Sequence, residues 1–240
     1  MWIAGVDGCR SGWLVALRHL STGELRVRIL PDLQALLDTP EAPRIIAIDM
    51  PIGLPDKIEG PGRAAEQAVR PLLGGRQSSV FSIPSRDAVH AGEYREACTR
   101  ALATSNPPKK ISKQGFMLFV KIREIDALLR ARTELVARIF EVHPEVAFWR
   151  MNGEAPLCEP KKVKGRVHEP GMALRRRLLI DAGLPRQHVE AQPPRGAGMD
   201  DLLDGLASLV VAARIVDGAA TPFPDPPSRD RYGIPIAIWA

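Results

Sequence analysis

Carboxylates stand out in this sequence by type and placement: Asp7 in IAGVDG, Asp49 in IIAIDMPIG, Glu141 in RIFEVHPE, and Asp200, Asp201 and Asp204 in MDDLLDGLA. Hard oxygen ligands on separate segments suit Mg²⁺ or Mn²⁺, which take carboxylates and water and leave room for a phosphate. Each acid also has an ordinary role open to it. An Asp after a strand caps a turn through its own backbone, which is enough to account for Asp7 beside Gly8, Ser11 and Gly12. Asp49 is different, because it ends a run of buried type, where an unpaired carboxylate is costly unless a cation matches it. Alternation places Glu141 and His143 on one strand face and Val142 on the other. His143 is open to a ligand, proton-carrying or structural role. Asp200 reads as a helix N-cap. Asp201 and Asp204 share a helix face, and like charges so placed repel unless a cation lies between them.

The elements that must position these acids follow from periodicity. MWIAGV, GWLVALRHL and ELRVRIL read as three strands of an antiparallel meander, followed by a helix over Pro31–Leu37. RIIAID is an apolar, β-branched strand of the kind buried on both faces of a parallel sheet. From Gly53 to about Asn106, Gly and Pro punctuate helices near Arg63–Leu73 and Glu93–Thr104. Phe116, Phe119, Val120, Ile122, Ile125 and Leu129 mark one long amphipathic helix, followed by the strand ARIFEV. Later helices are predicted at Gly171–Ala182 and Asp200–Val216, a Pro-rich tether at Thr221–Pro227, and a closing strand in YGIPIAIWA. The predicted class is α/β: a mixed sheet of a three-strand antiparallel meander plus parallel strands, flanked by helices. It forms one domain, 1–240, with a helical insertion about 53–133 after the fourth strand.

Composition excludes some classes. With 45% hydrophobic and 25% charged residues, and no apolar stretch near the roughly 20 residues of a membrane helix, no span is expected. Cys9, Cys98 and Cys158 are odd in number and scattered, and no signal-like segment opens the chain, so reduced thiols and a cytoplasmic location are expected. A net charge of +5 favours an anionic partner. Lys109, Lys110 and Lys113 form one basic cluster and Lys161, Lys162, Lys164 and Arg166 another, read either as solvated loops or as a phosphate-tracking surface. Oligomeric state is left open.

The order of parts, with an acid on the first strand, another ending a parallel strand and a late acidic helix, resembles the ribonuclease H-like fold. In that fold the first and fourth strands adjoin, so Asp7 and Asp49 are expected to converge beneath Asp201 and Asp204. DLLDGLA resembles the late acidic helix of Holliday-junction resolvases in the same superfamily. The ordered set GVDGCRSGW, IDMPIGLP, GRQSSVFSIPSR, the Gln114–Asp126 helix, EVHPEVAF, KKVKG and DDLLDGLA is similar to the uncharacterised domain family 429, whose members are predicted ribonuclease H-like nucleases. The likeness runs over nearly the whole chain. Gly205 stands where Ala is expected, and the long segment after Asp49 has no counterpart in ribonuclease H itself.

What the resemblance implies is a metal-dependent nuclease acting on phosphodiester bonds, with nucleic acid as partner and two hard cations about 4 Å apart. Asp7 is then expected to bridge both ions, Asp49 and Glu141 to hold them from the sheet, and Asp201 or Asp204 to complete one sphere. Arg63, Arg76, Arg86, Lys110, Lys113 and Lys162 are the expected phosphate contacts, assigned by segment. One alternative is an ATP-dependent phosphotransferase of the actin-like or sugar-kinase type, which also begins with an Asp-Gly strand turn. It needs a second Gly-rich phosphate hairpin, for which GPGR and LLGGRQSS are partial candidates. Another is a non-catalytic nucleic-acid or protein-binding module whose acids stabilise the fold. Ser78 and Ser79 lack evident His and Asp partners and read as a turn.

Overall fold

In the computed structural model, which describes residues 1–240, the meander consists of β1 (Trp2–Cys9), β2 (Gly12–His19) and β3 (Leu25–Leu30). Helix α1 (Leu33–Leu37) follows, capped by the Asp32 carboxylate, and leads to β4 (Ile45–Asp49), which runs parallel to β1. Next come β5 (Ile58–Glu59), α2 (Ala64–Val69), α3 (Arg86–Val89), α4 (Tyr94–Ala103) and β6 (Ser105–Asn106), which pairs with β5. Helices α5 (Lys113–Met117) and α6 (Phe119–Ala131) lead to β7 (Ile139–Glu141), parallel to β4. The chain ends through α7 (Pro144–Met151), a hairpin of β8 (Lys162–Val163) and β9 (Arg166–Val167), α8 (Glu169–Asp181), α9 (Arg186–Val189), α10 (Met199–Val216), and an antiparallel pair, β10 (Pro222–Arg229) and β11 (Pro235–Trp239). The main sheet has the order β3-β2-β1-β4-β7, a mixed α/β arrangement consistent with a ribonuclease H-like fold. No helix is long and apolar enough to cross a membrane.

Side-chain alternation divides the core. Val6, Trp13, Val15, Leu17, Ile46 and Ile48 face one side of the sheet, against Phe119, Ile122 and Ile125 of α6. Ile3, Leu14, Ala16 and Ala47 face the other, against Leu202, Leu203, Leu206 and Leu209 of α10. Burial on both faces is what the unbroken apolar run of β4 requires. The same parity carries Asp7 and Asp49, paired with each other across β1 and β4, to the α10 side. Glu141 pairs with Ile48 and lies two residues after Ile139, so its side chain starts from the opposite side, although at this strand end it still borders the same cavity as Asp7 and Asp49.

Four local readings change. The helix expected over Arg63–Leu73 gives way after Val69 to tight 3₁₀ turns over Arg70–Ser79, where Pro71 has no N–H and Gly74 leaves the helical region at φ 50°. The amphipathic run around Phe116 is divided at Leu118 into α5 and α6. The stretch Thr221–Pro227, expected as a tether, belongs to strand β10, whose prolines are tolerated because it pairs with β11 alone. Helix α7 was not anticipated, although Pro144 in its first turn is a helix-start signal.

Gly205 has a packing reason. A Cβ on Gly5 would lie 2.1 Å from the Leu209 nitrogen and 2.2 Å from the Gly205 carbonyl oxygen, so α10 sits directly on the backbone of β1. A Cβ on Gly205 would meet Leu14 Cδ2 at 2.6 Å, the movable end of a side chain. This contact fixes how near Asp204, the neighbour of Gly205, comes to Asp7. Gly5→Ala is therefore expected to cost about 1–3 kcal/mol or more in urea unfolding, whereas Gly205→Ala costs less because helix propensity offsets part of the clash. Equal stability of Gly5→Ala and the parent chain would contradict this packing account.

Candidate metal centre

Asp7, Asp49 and Asp204 each place a carboxylate oxygen within 4.8 Å of the other two, with Asp7 and Asp204 buried and Asp49 half-buried. β1 and β4 bring the first two together by direct register, and the start of α10 lays the third over them. The donor set is all oxygen, and Oδ1 of Asp204 is buried without a hydrogen-bond partner. Such an atom loses its hydration without recompense unless a cation or proton reaches it. The residues present thus fit a divalent metal: this is a buried acidic cluster able to bind one.

The electrostatics say the same. Burial, and then the charge of Asp49, push the Asp7 carboxyl well above its usual range. Burial, and then Asp204, push Asp49 up to about 8, with the Lys161 ammonium opposing the rise and Glu141 adding to it. Burial also raises Asp204, with the Lys161 ammonium opposing it. Without a metal the cluster therefore retains protons near neutrality.

The sign of the pH effect follows. Asp49 has a folded value of about 8 against 3.8 for the free group, so the folded state binds more protons between those limits. Its contribution to stability is fully present below the lower value and is lost as pH rises through the upper one. Metal-free protein is expected to lose melting temperature relative to Asp49→Asn as pH rises through that window, and saturating Mn²⁺ should largely abolish the difference. A difference that stays flat with pH in metal-free buffer would contradict the assignment.

The remaining expected site residues divide by burial and partner. Glu141, expected to hold an ion from the sheet, instead receives Arg63 through Nη2 at 2.7 Å and Nη1 at 3.1 Å, and accepts the Ile52 N–H at 2.7 Å. Arg63, expected at a phosphate, is buried and fully engaged, donating also to Glu66 at 2.6 Å and to the carbonyls of Ile52 and Gly53. Arg86, likewise expected at a phosphate, is buried between Asp126 at 2.7 Å and Asp230 at 2.6 Å. Asp201 accepts the Gly198 N–H at 2.7 Å, so the N-cap is Gly198 and not Asp200. Asp200 pairs with Lys162 at 2.6 Å. Lys110 and Lys113 are exposed and line neither cavity at the acids.

Two cavities meet at Asp49. One, of about 160 Å³, is bordered by Asp7, Met50, Phe81 and Leu118 and also by the paired Arg63, Glu66 and Glu141. The other, of about 450 Å³, is polar, with Arg76, Lys161 and Lys162 on its walls. His143 borders both; burial lowers it to about 4, leaving it neutral, and its Nε2 lies 3.4 Å from the Ser79 carbonyl. Lys161, which the sequence placed only within a basic cluster, pairs directly with Asp204. Neither Gly-rich segment forms a phosphate hairpin: Gly60 and Gly62 lead into α2, and Gly74 and Gly75 interrupt the 3₁₀ turns.

Residues 5–229 match the family described as protein of unknown function (DUF429). The chain belongs to that family. No curated protein and no solved structure matches it. In this DUF429 chain the matched region contains the whole Asp7–Asp49–Asp204 cluster and both cavities apart from Ile238.

Proposed function

We propose that this chain is a divalent-metal-dependent nuclease that hydrolyses phosphodiester bonds at Asp7, Asp49 and Asp204. One observation carries the reading: the buried all-oxygen cluster opens, at Asp49, onto a cavity walled by Arg76, Lys161 and Lys162, whose other acids, Asp200 and Glu145, are already paired with Lys162 and Arg175. Anionic metal ligands beside cationic walls are what a phosphate diester demands, since its bridging phosphoryl group is negative and must still approach carboxylates. Mg²⁺ or Mn²⁺ held by the three aspartates would supply Lewis acidity toward the phosphoryl oxygens and make water more acidic.

The chain's own groups do the rest. Arg76 faces the cavity as a counter-charge for a flanking phosphate, and Lys162 serves as one when it exchanges its Asp200 partner for the phosphate. Neutral His143 holds the Ser79 backbone and so shapes the wall between the two cavities. Phe81, 39% exposed and on the border of both cavities, offers an aromatic face to a base next to the reacting phosphate. Phe81→Ala should weaken binding of single-stranded substrate by about 1–3 kcal/mol, read as a change in Kd. An unchanged Kd removes the stacking role.

The test is cleavage of single-stranded, duplex and branched DNA and RNA with Mg²⁺, Mn²⁺ or EDTA. Metal-dependent cleavage that disappears in Asp49→Asn is expected. A protein that binds Mn²⁺ at the cluster yet cleaves none of these would overturn the nuclease reading.

A further inference from the structure

We propose that Lys161 is a fixed second cation of this centre, so that the cluster takes one divalent ion rather than two. The inference rests on the metal half of the reading above and specifies how the site divides its positive charge. A two-ion site needs carboxylates on both sides of a bridging ligand, but Glu141 is held by Arg63 and the Ile52 N–H, Asp201 by the Gly198 N–H, and Asp200 by Lys162. Three carboxylates remain, and Lys161 already pairs with one of them, Asp204. Fully ionised they carry −3, Lys161 returns +1, and the residual −2 equals the charge of one divalent cation. A second ion would leave an excess of positive charge in a buried site, where like charges repel strongly.

Lys161 is held in place by its surroundings and does not behave as a loose surface lysine. Its side chain is 24% exposed, and its own carbonyl accepts the His168 N–H at 2.8 Å. The preceding Glu159 carbonyl accepts from buried Arg175 at 3.0 Å, and Arg175 is itself clamped by Glu145 at 2.6 and 2.8 Å. Between them, the Pro160 carbonyl packs so closely on Gly171 that a Cβ there would lie 1.9 Å away. Both sides of Lys161 are thus fastened to α8, and its ammonium is delivered to Asp204 by a built scaffold. Lys161 also borders the cavity assigned to phosphates, so the same charge faces both the acids and the substrate.

The test is a Mn²⁺ titration of the full chain by calorimetry and by electron paramagnetic resonance, with Lys161→Met and Lys161→Arg beside the parent. One Mn²⁺ per parent chain is expected. Lys161→Met should bind the first Mn²⁺ at least 10-fold more tightly and gain a second, weaker ion, while Lys161→Arg keeps the parent stoichiometry. Two strongly coupled Mn²⁺ ions in the parent, or an unchanged affinity in folded Lys161→Met, would overturn the proposal. If Lys161→Met does not fold, the parent stoichiometry alone decides. Because the readout is metal binding, one bound ion without cleavage would defeat the nuclease reading and leave this inference standing, and two ions with cleavage would do the reverse.

Discussion

Asp7→Asn is expected to remove Mn²⁺ binding and cleavage together while raising the melting temperature of the metal-free protein. Asp7 pairs in register with Asp49 and has a carboxylate oxygen within 4.8 Å of Asp204, so it lies between the other two ligands at the junction of the sheet and α10. Its carboxyl is held well above its usual range by burial and by Asp49, which means that ionising it in the empty cluster works against folding. Asparagine keeps the shape and removes the charge. A gain on the order of 1 kcal/mol would move the melting temperature of a chain this size by about 2–4 °C. The loss of cleavage should exceed about 100-fold, since groups that merely support metal ligands already cost about 10–100-fold. Calorimetric melting in EDTA and in Mn²⁺ checks both halves: the parent gains stability on adding the ion and the variant does not. A variant that melts well below the parent in EDTA would make Asp7 a structural acid.

Arg63→Met should do the opposite, and by a larger margin. Its guanidinium joins Glu141 at 2.7 Å to Glu66 at 2.6 Å in a region where all three side chains are nearly excluded from water. Burial opposes its charge, but Glu141 and Glu66 outweigh that and hold Arg63 above its usual value. Glu141 in turn is raised by burial, with Arg63 opposing the rise. Removing the cation leaves two buried carboxylates without a counter-charge, and breaking such a pair typically costs about 3–5 kcal/mol. That predicts a fall in melting temperature of roughly 6–20 °C by the same scaling. Mn²⁺ should still bind whatever fraction remains folded, because the aspartate cluster does not include Glu141. A mild effect on stability combined with loss of Mn²⁺ binding would return Glu141 to the metal.

The contrast between these variants shows what could be read from the sequence. Asp7 and Asp49 were legible because each directly follows an apolar strand run, and a meander followed by a parallel strand leaves few ways to arrange β1 and β4. Asp204 was legible from its place beside the apolar stripe of a late helix. Glu141 shared the same local signature, yet alternation along one strand does not give the register between strands. Pairing of Glu141 with Ile48, and not with Asp49, starts its side chain from the other face, where Arg63 takes it up at the border of the cavity it shares with Asp7 and Asp49. Arg63 and Arg86 are expected at phosphates by segment alone, whereas their buried carboxylate partners Glu141 and Asp126 lie 78 and 40 residues away in sequence. Lys161 was hidden for a similar reason: its approach to Asp204 depends on how Pro160 packs on Gly171 and how Arg175 holds Glu159. Long-range pairing of charges decided each case, and periodicity carries no information about it.

The most direct test of the central claim is the anomalous difference map of a crystal soaked in Mn²⁺. This account predicts a peak in contact with carboxylate oxygens of Asp7, Asp49 and Asp204, with Arg63 still paired to Glu141. A map with no peak among those aspartates, or with the ion on Glu141 and Arg63 displaced, would contradict it.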